Sequence, residues 1–215
     1  MGKPLKSLKR AAQAILEEVS AFRPVHQEAR NVARLERRGS SKDVTPDKRH
    51  LDAAISWIKS AQAAAGDCGG VAWGYRARAG VRSGMTLGWA GPYPETTGYI
   101  IPTMLRYAAS AGDASSADAA RRMADWGIRI QLNDGGFQGG IYGSQPVSSS
   151  TFVTGQVLFG MLAAYREWRS DSSLDAAVRA GNFLLTCLDE NGRFIKGFSP
   201  GLSQRYSNKI SWLAG

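Results

Sequence analysis

An internal repeat of about 57 residues constrains this chain more than any other feature. Three segments share one pattern: HLDAAISWIKSAQAAAGDCGGVAWGY (50–75), AARRMADWGIRIQLNDGGFQGGIYG (119–143) and AAVRAGNFLLTCLDENGRFIKGF (176–198). Each is a helical run ending in an acidic or amide residue and glycine, followed by an aromatic. Trp126 and Phe183 lie 57 apart, as do Asp134 and Asn191, and Gly135 and Gly192. The first segment carries three additional residues around positions 63–65. A second helix type follows each of these: TTGYIIPTMLRYAASAGD (96–113) aligns with VTGQVLFGMLAAYREWRSD (153–171). Here Thr97 and Thr154, Gly98 and Gly155, and Met104 and Met161 keep the same 57-residue offset. A period of this length marks stacked units that bury their apolar faces only against neighbours. A third copy of the second helix, RYSNKISWLAG (205–215), opens alike and then stops, so the pattern predicts a fragment of a longer array holding about three hairpins.

Each unit reads as helix, glycine-rich loop, helix and short turn. The turns Ser110-Ala111-Gly112-Asp113 and Arg169-Ser170-Asp171-Ser172-Ser173 supply helix stops and N-caps. In the first helix type, Ala120, Met123, Ala124, Gly127, Ile128 and Ile130 gather largely on one face, with Arg121, Arg122, Asp125 and Arg129 elsewhere. The second type is apolar nearly all round, as Ile100, Ile101, Met104 and Leu105 or Val157, Leu158, Phe159, Met161 and Leu162 show. All-round apolarity demands burial on every side. An outer layer of amphipathic helices around an inner layer of buried ones meets both demands. The expected fold is therefore all-α, a partial α/α-barrel at 49–215 behind a basic helical lead-in at 1–48.

Composition narrows the classes. At 215 residues with 43% hydrophobic residues, the chain suits one globular domain. The formal charge of +9 is uneven: residues 1–50 hold 12 Lys/Arg against 6 Asp/Glu. Glutamates interrupt that basic run and no aromatics interleave it, so a solvated amphipathic helix is expected there, not a nucleic-acid surface. No stretch reaches the roughly 20 apolar residues of a membrane helix, and Glu17 and Glu18 interrupt the N-terminus too early for a signal peptide. Cys68 and Cys187 stand alone, without zinc-ligand or disulfide-framework spacing, which fits a reducing cytoplasm. His26 and His50 have no partners at metal spacing, so neither a metal nor another cofactor is expected.

The QLNDGGFQGG segment and the alternating helix types resemble the α/α-toroid proteins: squalene–hopene cyclases, protein prenyltransferase β-subunits and six-hairpin glycan-active enzymes. The run GPYPETTGYIIPTML (91–105) is similar to bacterial prenyltransferase or squalene-oxidase repeat proteins, several of which travel with surface-polysaccharide machinery. The resemblance covers roughly 50–215 and implies a ring of hairpins whose outer-to-inner loops gather at one mouth. The zinc set of the prenyltransferases and the DxDD segment of the cyclases are not recognisable, so the resemblance extends to shape alone.

Residues at that mouth are the candidates. Glu95 stands between Pro94 and Thr96 where an inner helix begins, in aromatic surroundings. A carboxyl there suits a general acid or base, or a ligand for sugar hydroxyls. It equally complements the helix dipole, so a catalytic and a capping role compete. The candidate binding residues are Trp73, Tyr75, Trp89 and Tyr93, then Phe137, Tyr142 and Gln156, and finally Arg205, Tyr206 and Asn208; Gln145, Thr151 and Thr154 also fall at the mouth. Aromatic rings in such a place suit sugar stacking or carbocation stabilisation, though core packing competes. The expectation is a protein that acts on or binds a saccharide of a surface-polysaccharide pathway, an anionic one suiting the basic charge. A terpenoid-cyclase-like enzyme and a non-catalytic repeat scaffold are the alternatives. The paired glycines at 69–70 and 135–136 fit no phosphate-binding motif and read as turn and close-packing devices.

Overall fold

The computed structural model describes residues 47–76 and 88–197, together with Gln27, Asn31 and Arg34, which are helical. Five α-helices occur among the described residues: α1 (Asp47–Ala64), α2 (Pro94–Ala111), α3 (Ala114–Ile130), α4 (Thr151–Trp168) and α5 (Asp171–Thr186). The fold is thus mostly helical. Nearly all of the expected lead-in, and Arg205, Tyr206 and Asn208, lie outside the described residues.

Local chemistry sets the helix ends. Pro94 occupies the first turn of α2, where its fixed φ fits and its missing N–H costs nothing. Asp113 caps α3 by accepting from the Ser115 N–H at 3.1 Å and from the Ser115 and Ser116 hydroxyls. Ser150 caps α4, with the Val153 N–H at 3.5 Å. α2 ends at Gly112 in the left-handed region. Arg169, 57 residues on, takes the same conformation at the end of α4 with φ +52°.

Residues 51–73 and those from 91 onward form one compact unit, and the segment 74–90 belongs to another. Within the first, α2 packs on α3 and α4, α4 packs on α5, and α3 touches α5. α3 buries Ala119, Ala120, Met123, Ala124, Trp126, Gly127 and Ile130 on the expected face. Small residues bring α2 and α4 together: a β-carbon on Gly98 would lie 2.6 Å from the Val157 Cα. α1 is tied on by polar side chains. Lys59 reaches Asp113 at 2.7 Å, and the Tyr107 hydroxyl donates to Asp52 at 2.8 Å.

The second helix type is not buried on every side, contrary to the reading from apolarity. α2 leaves Tyr99, Thr103 and Arg106 exposed, and α4 leaves Phe159 exposed. These residues recur at helical spacing, so each helix presents one open stripe beside its packed faces.

The repeat is structural as well as sequential. Gln62 donates to the Gly69 and Ala119 carbonyls, and Gln131 donates to those of Gly135 and Ala176. The first glycine of each pair has positive φ, +91° at Gly69 and +86° at Gly135, and a β-carbon there would run into the carbonyl of Arg122 or Arg179. The second glycine lies against the aromatic of the following helix, Gly70 on Trp126 and Gly136 on Phe183. The three additional residues of the first unit fall between Gln62 and Gly69, where a 3-10 turn (Gly66–Cys68) absorbs them.

The other unit contributes a two-stranded antiparallel ribbon, β1 (Tyr75–Arg76) and β2 (Gly88–Trp89), in which Tyr75 pairs with Trp89. Strands were not expected in an all-α chain. Two residues per strand are too few for alternation to register in a sequence.

Candidate functional site

Three loop segments meet at Gly91 and Pro92. Ala72 and Pro92 form a β-bridge, the Trp73 N–H donates to the Gly91 carbonyl at 3.0 Å, and the Tyr93 N–H donates to the Val71 carbonyl at 2.9 Å. On the other side the Tyr142 N–H donates to the Pro92 carbonyl at 2.9 Å. These bonds hold the backbones of Trp73, Tyr93 and Tyr142 around the start of α2. Trp73 is 50% exposed and Tyr142 45%. The Tyr142 ring stands edge-on to the buried Trp126 at 5.7 Å, which fixes one edge and leaves the other toward solvent.

The loops are anchored from below by the inner helices. The Thr97 hydroxyl accepts from the Val71 N–H at 2.9 Å and donates to the Tyr93 carbonyl at 2.8 Å. Thr154 accepts from the Phe137 N–H at 2.9 Å, in the same way. The longer loop is braced by Gln138, buried, whose amide donates to the Ser144 carbonyl at 2.7 Å and accepts from the Gly143 N–H at 3.2 Å.

Glu95 lies in the first turn of α2, half-buried, and the Tyr93 hydroxyl donates to its carboxylate. Burial pushes the carboxyl above its ordinary range, and the Tyr93 hydrogen bond opposes that shift. The Tyr93 phenol is pushed up to about 12, by burial first and then by the Glu95 charge and hydrogen bond. Tyr99, one turn along from Glu95, is raised by burial and by the same charge. The site is a carboxylate held by one phenol and overlooked by a second.

The candidates separate into three groups. Trp73, Tyr93, Glu95 and Tyr142 are brought together at the junction of the loops. Gln156 is half-buried on α4, where its carbonyl would meet a β-carbon on Gly98, 2.9 Å away. Tyr75 and Trp89 belong to the ribbon and stand edge to face with each other at 5.0 Å. Phe137 is corrected: it is 0% exposed, pinned by its N–H to Thr154, and serves as a core ring with no face for a ligand. Thr151 and Thr154 are equally buried and hold backbone. Tyr99 was missed. Its signal was a phenol four residues after Glu95 in an otherwise apolar helix.

Among the described residues no three His, Cys, Asp or Glu side chains come together in a metal-binding group. No described helix is long and apolar enough to cross a membrane. Comparison of the chain with protein-family models, with curated proteins and with solved structures found no match.

Proposed function

We propose that this chain is part of an α/α-toroid whose loop face binds a saccharide, with Glu95 as the polar anchor. The architecture is supported by the 57-residue recurrence of whole contact sets: Thr97 and Thr154 under the loops, and Gly69 and Gly135 against the next helix. The two free cysteines, Cys68 and Cys187, fit a cytoplasmic setting.

The observation that carries the ligand class is the half-buried Glu95 carboxylate between Tyr93 and Tyr99. A carboxylate accepts hydrogen bonds from sugar hydroxyls, and phenol rings cover the apolar face of a pyranose. The exposed Trp73 ring offers a further stacking surface on the same junction. Tyr93, itself hydrogen-bonded to Glu95, orients the acceptor and leaves its other lone pairs for a ligand. The geometry suits recognition more than hydrolysis, because the described partners of Glu95 are phenols and not the second carboxyl that glycoside cleavage ordinarily uses.

Titration calorimetry against a panel of oligosaccharides tests the reading. At least one saccharide should bind, and Glu95→Gln or Trp73→Ala should weaken it by about tenfold or more, as expected for a charge-assisted hydrogen bond or a stacked ring. Affinity unchanged in both variants would remove the site from this role.

A further inference from the structure

We propose that the ligand group held at Glu95 is a positively charged amine, which makes the preferred saccharide an amino sugar with a free ammonium. This rests on the saccharide reading above and adds the chemical class that the site selects.

Glu95 is a carboxylate short of partners. It accepts one side-chain hydrogen bond, from Tyr93, and among the described residues no Lys, Arg or His pairs with it. An ionised carboxylate offers about four acceptor positions, so most of its capacity is unused. A half-buried acid in that state gains more from a cation than from any neutral group, since hydrogen bonds between opposite charges are roughly twice as strong.

The rings point the same way. Tyr99 lies four residues on from Glu95 along α2, and Tyr93 hydrogen-bonds the carboxylate directly. Aromatic faces attract ammonium groups within about 6 Å. A cation therefore draws on both the carboxylate and the rings. A sugar hydroxyl draws chiefly on the carboxylate, and an anion is repelled by it. The start of α2 would ordinarily favour an anion, but Glu95 itself already occupies that electropositive end.

The opposing consideration is the overall charge of +9, which attracts anions. Two-thirds of that excess is carried by residues 1–50. Such fields are screened beyond about 8 Å at physiological ionic strength, whereas a contact at Glu95 is not. Contact chemistry therefore decides the group that docks at Glu95, and an amine displaces the anionic sugar that net charge alone would suggest.

Calorimetry with the full chain tests this, using a β-1,4-linked glucosamine oligomer, its trimethylated derivative of permanent charge, and the fully N-acetylated oligomer of equal length. Both charged oligomers should bind about tenfold or more tighter than the acetylated one, and Glu95→Gln should erase that difference. Tyr99→Ala, at an exposed position, should weaken the charged ligands selectively; circular dichroism confirms that both variants keep their helices. Equal or tighter binding of the acetylated oligomer, or a Glu95→Gln loss shared equally by all three, overturns the amine while leaving a saccharide site in place. Absence of binding by these oligomers and by neutral and acidic ones would remove the saccharide reading, and this inference with it.

Discussion

Gly160 of α4 lies directly against the carbonyl of Gly98 in α2, so that a β-carbon on Gly160 would sit 2.5 Å from that oxygen. The contact has a covalent origin in the sequence. Pro102 stands four residues after Gly98 inside α2 and has no N–H to close the helical hydrogen bond. The unclaimed carbonyl faces the neighbouring helix, where only a glycine lets the backbones approach closely enough for a weak Cα–H···O contact. Gly160→Ala should therefore destabilise the fold by about 1–3 kcal/mol or more through overpacking, although alanine is the better helix former. Gly181 of α5 has open space at its β-position, so Gly181→Ala should instead stabilise by about 0.5–1 kcal/mol. Urea unfolding of the two variants reads opposite signs from one chemical change.

The hydroxyls of Thr97 and Thr154 are each the acceptor for a buried backbone N–H, from Val71 and Phe137. Thr→Val keeps the shape and strands that donor, at about 1–3 kcal/mol per site. Thr→Ser keeps the acceptor and should cost less than its valine counterpart at each position. Because the two sites are copies of one contact, the two valine variants should lose similar stability, which denaturant titration would show. A large cost at one and none at the other would break the structural equivalence of the units.

These threonines also show what was legible in the chain before its structure. Their 57-residue offset, and that of the helices following each glycine pair, reported real contacts, because a side chain serving the same backbone group in two units leaves the same residue twice. The additional residues near 63–65 were placed correctly for the same reason: Gln62 and Gln131 bracket them with identical roles. Burial was less legible. The apolar character of α2 and α4 suggested cover on all sides, yet Tyr99 and Phe159 are exposed, because apolarity reports what a face tolerates and not which neighbour is present. Phe137 misled in the opposite direction. Its place after paired glycines resembled a loop tip, while its backbone bond to Thr154 draws the ring into the core.

Acid titration separates two carboxyls with opposite signs. Burial raises Glu95 in the folded chain, so the folded state holds that proton more tightly than the unfolded one. Stability contributed by this group declines as pH rises from the ordinary carboxylate range to the raised value, and is level above it. Asp113 is held well below its ordinary range by hydrogen bonds from Lys59, Ser115 and Ser116. Its contribution is present above the ordinary value and is lost as pH falls through the lowered one. Glu95→Gln should thus raise the melting temperature at neutral pH relative to mildly acidic pH. Asp113→Asn should lower it at neutral pH, with the deficit narrowing in strong acid. Melting curves across pH for both variants check the signs.

Gly112 and Arg169 occupy the same place in successive units, each ending an inner helix in the left-handed region. Glycine meets that conformation without a β-carbon clash, and arginine does not. Arg169 retains the helix-closing bond, its N–H donating to the Tyr165 carbonyl at 2.8 Å, and its guanidinium lies over the Tyr165 ring at 5.6 Å. The exposed cation–π contact is worth about 0.5–1 kcal/mol, and a non-glycine residue in the left-handed region costs about 1–2 kcal/mol. The backbone effect is the larger. Arg169→Gly should therefore stabilise the chain by up to about 1 kcal/mol, and Arg169→Ala, which keeps the clash and loses the ring contact, should destabilise it by a similar amount. Gly112→Ala should cost about 1 kcal/mol as the converse change, since nothing but its φ of +66° forbids a side chain there. Thermal unfolding of the three variants would order them Arg169→Gly above the parent, with both alanine variants below; a destabilised Arg169→Gly would show that the Tyr165 contact outweighs the strain.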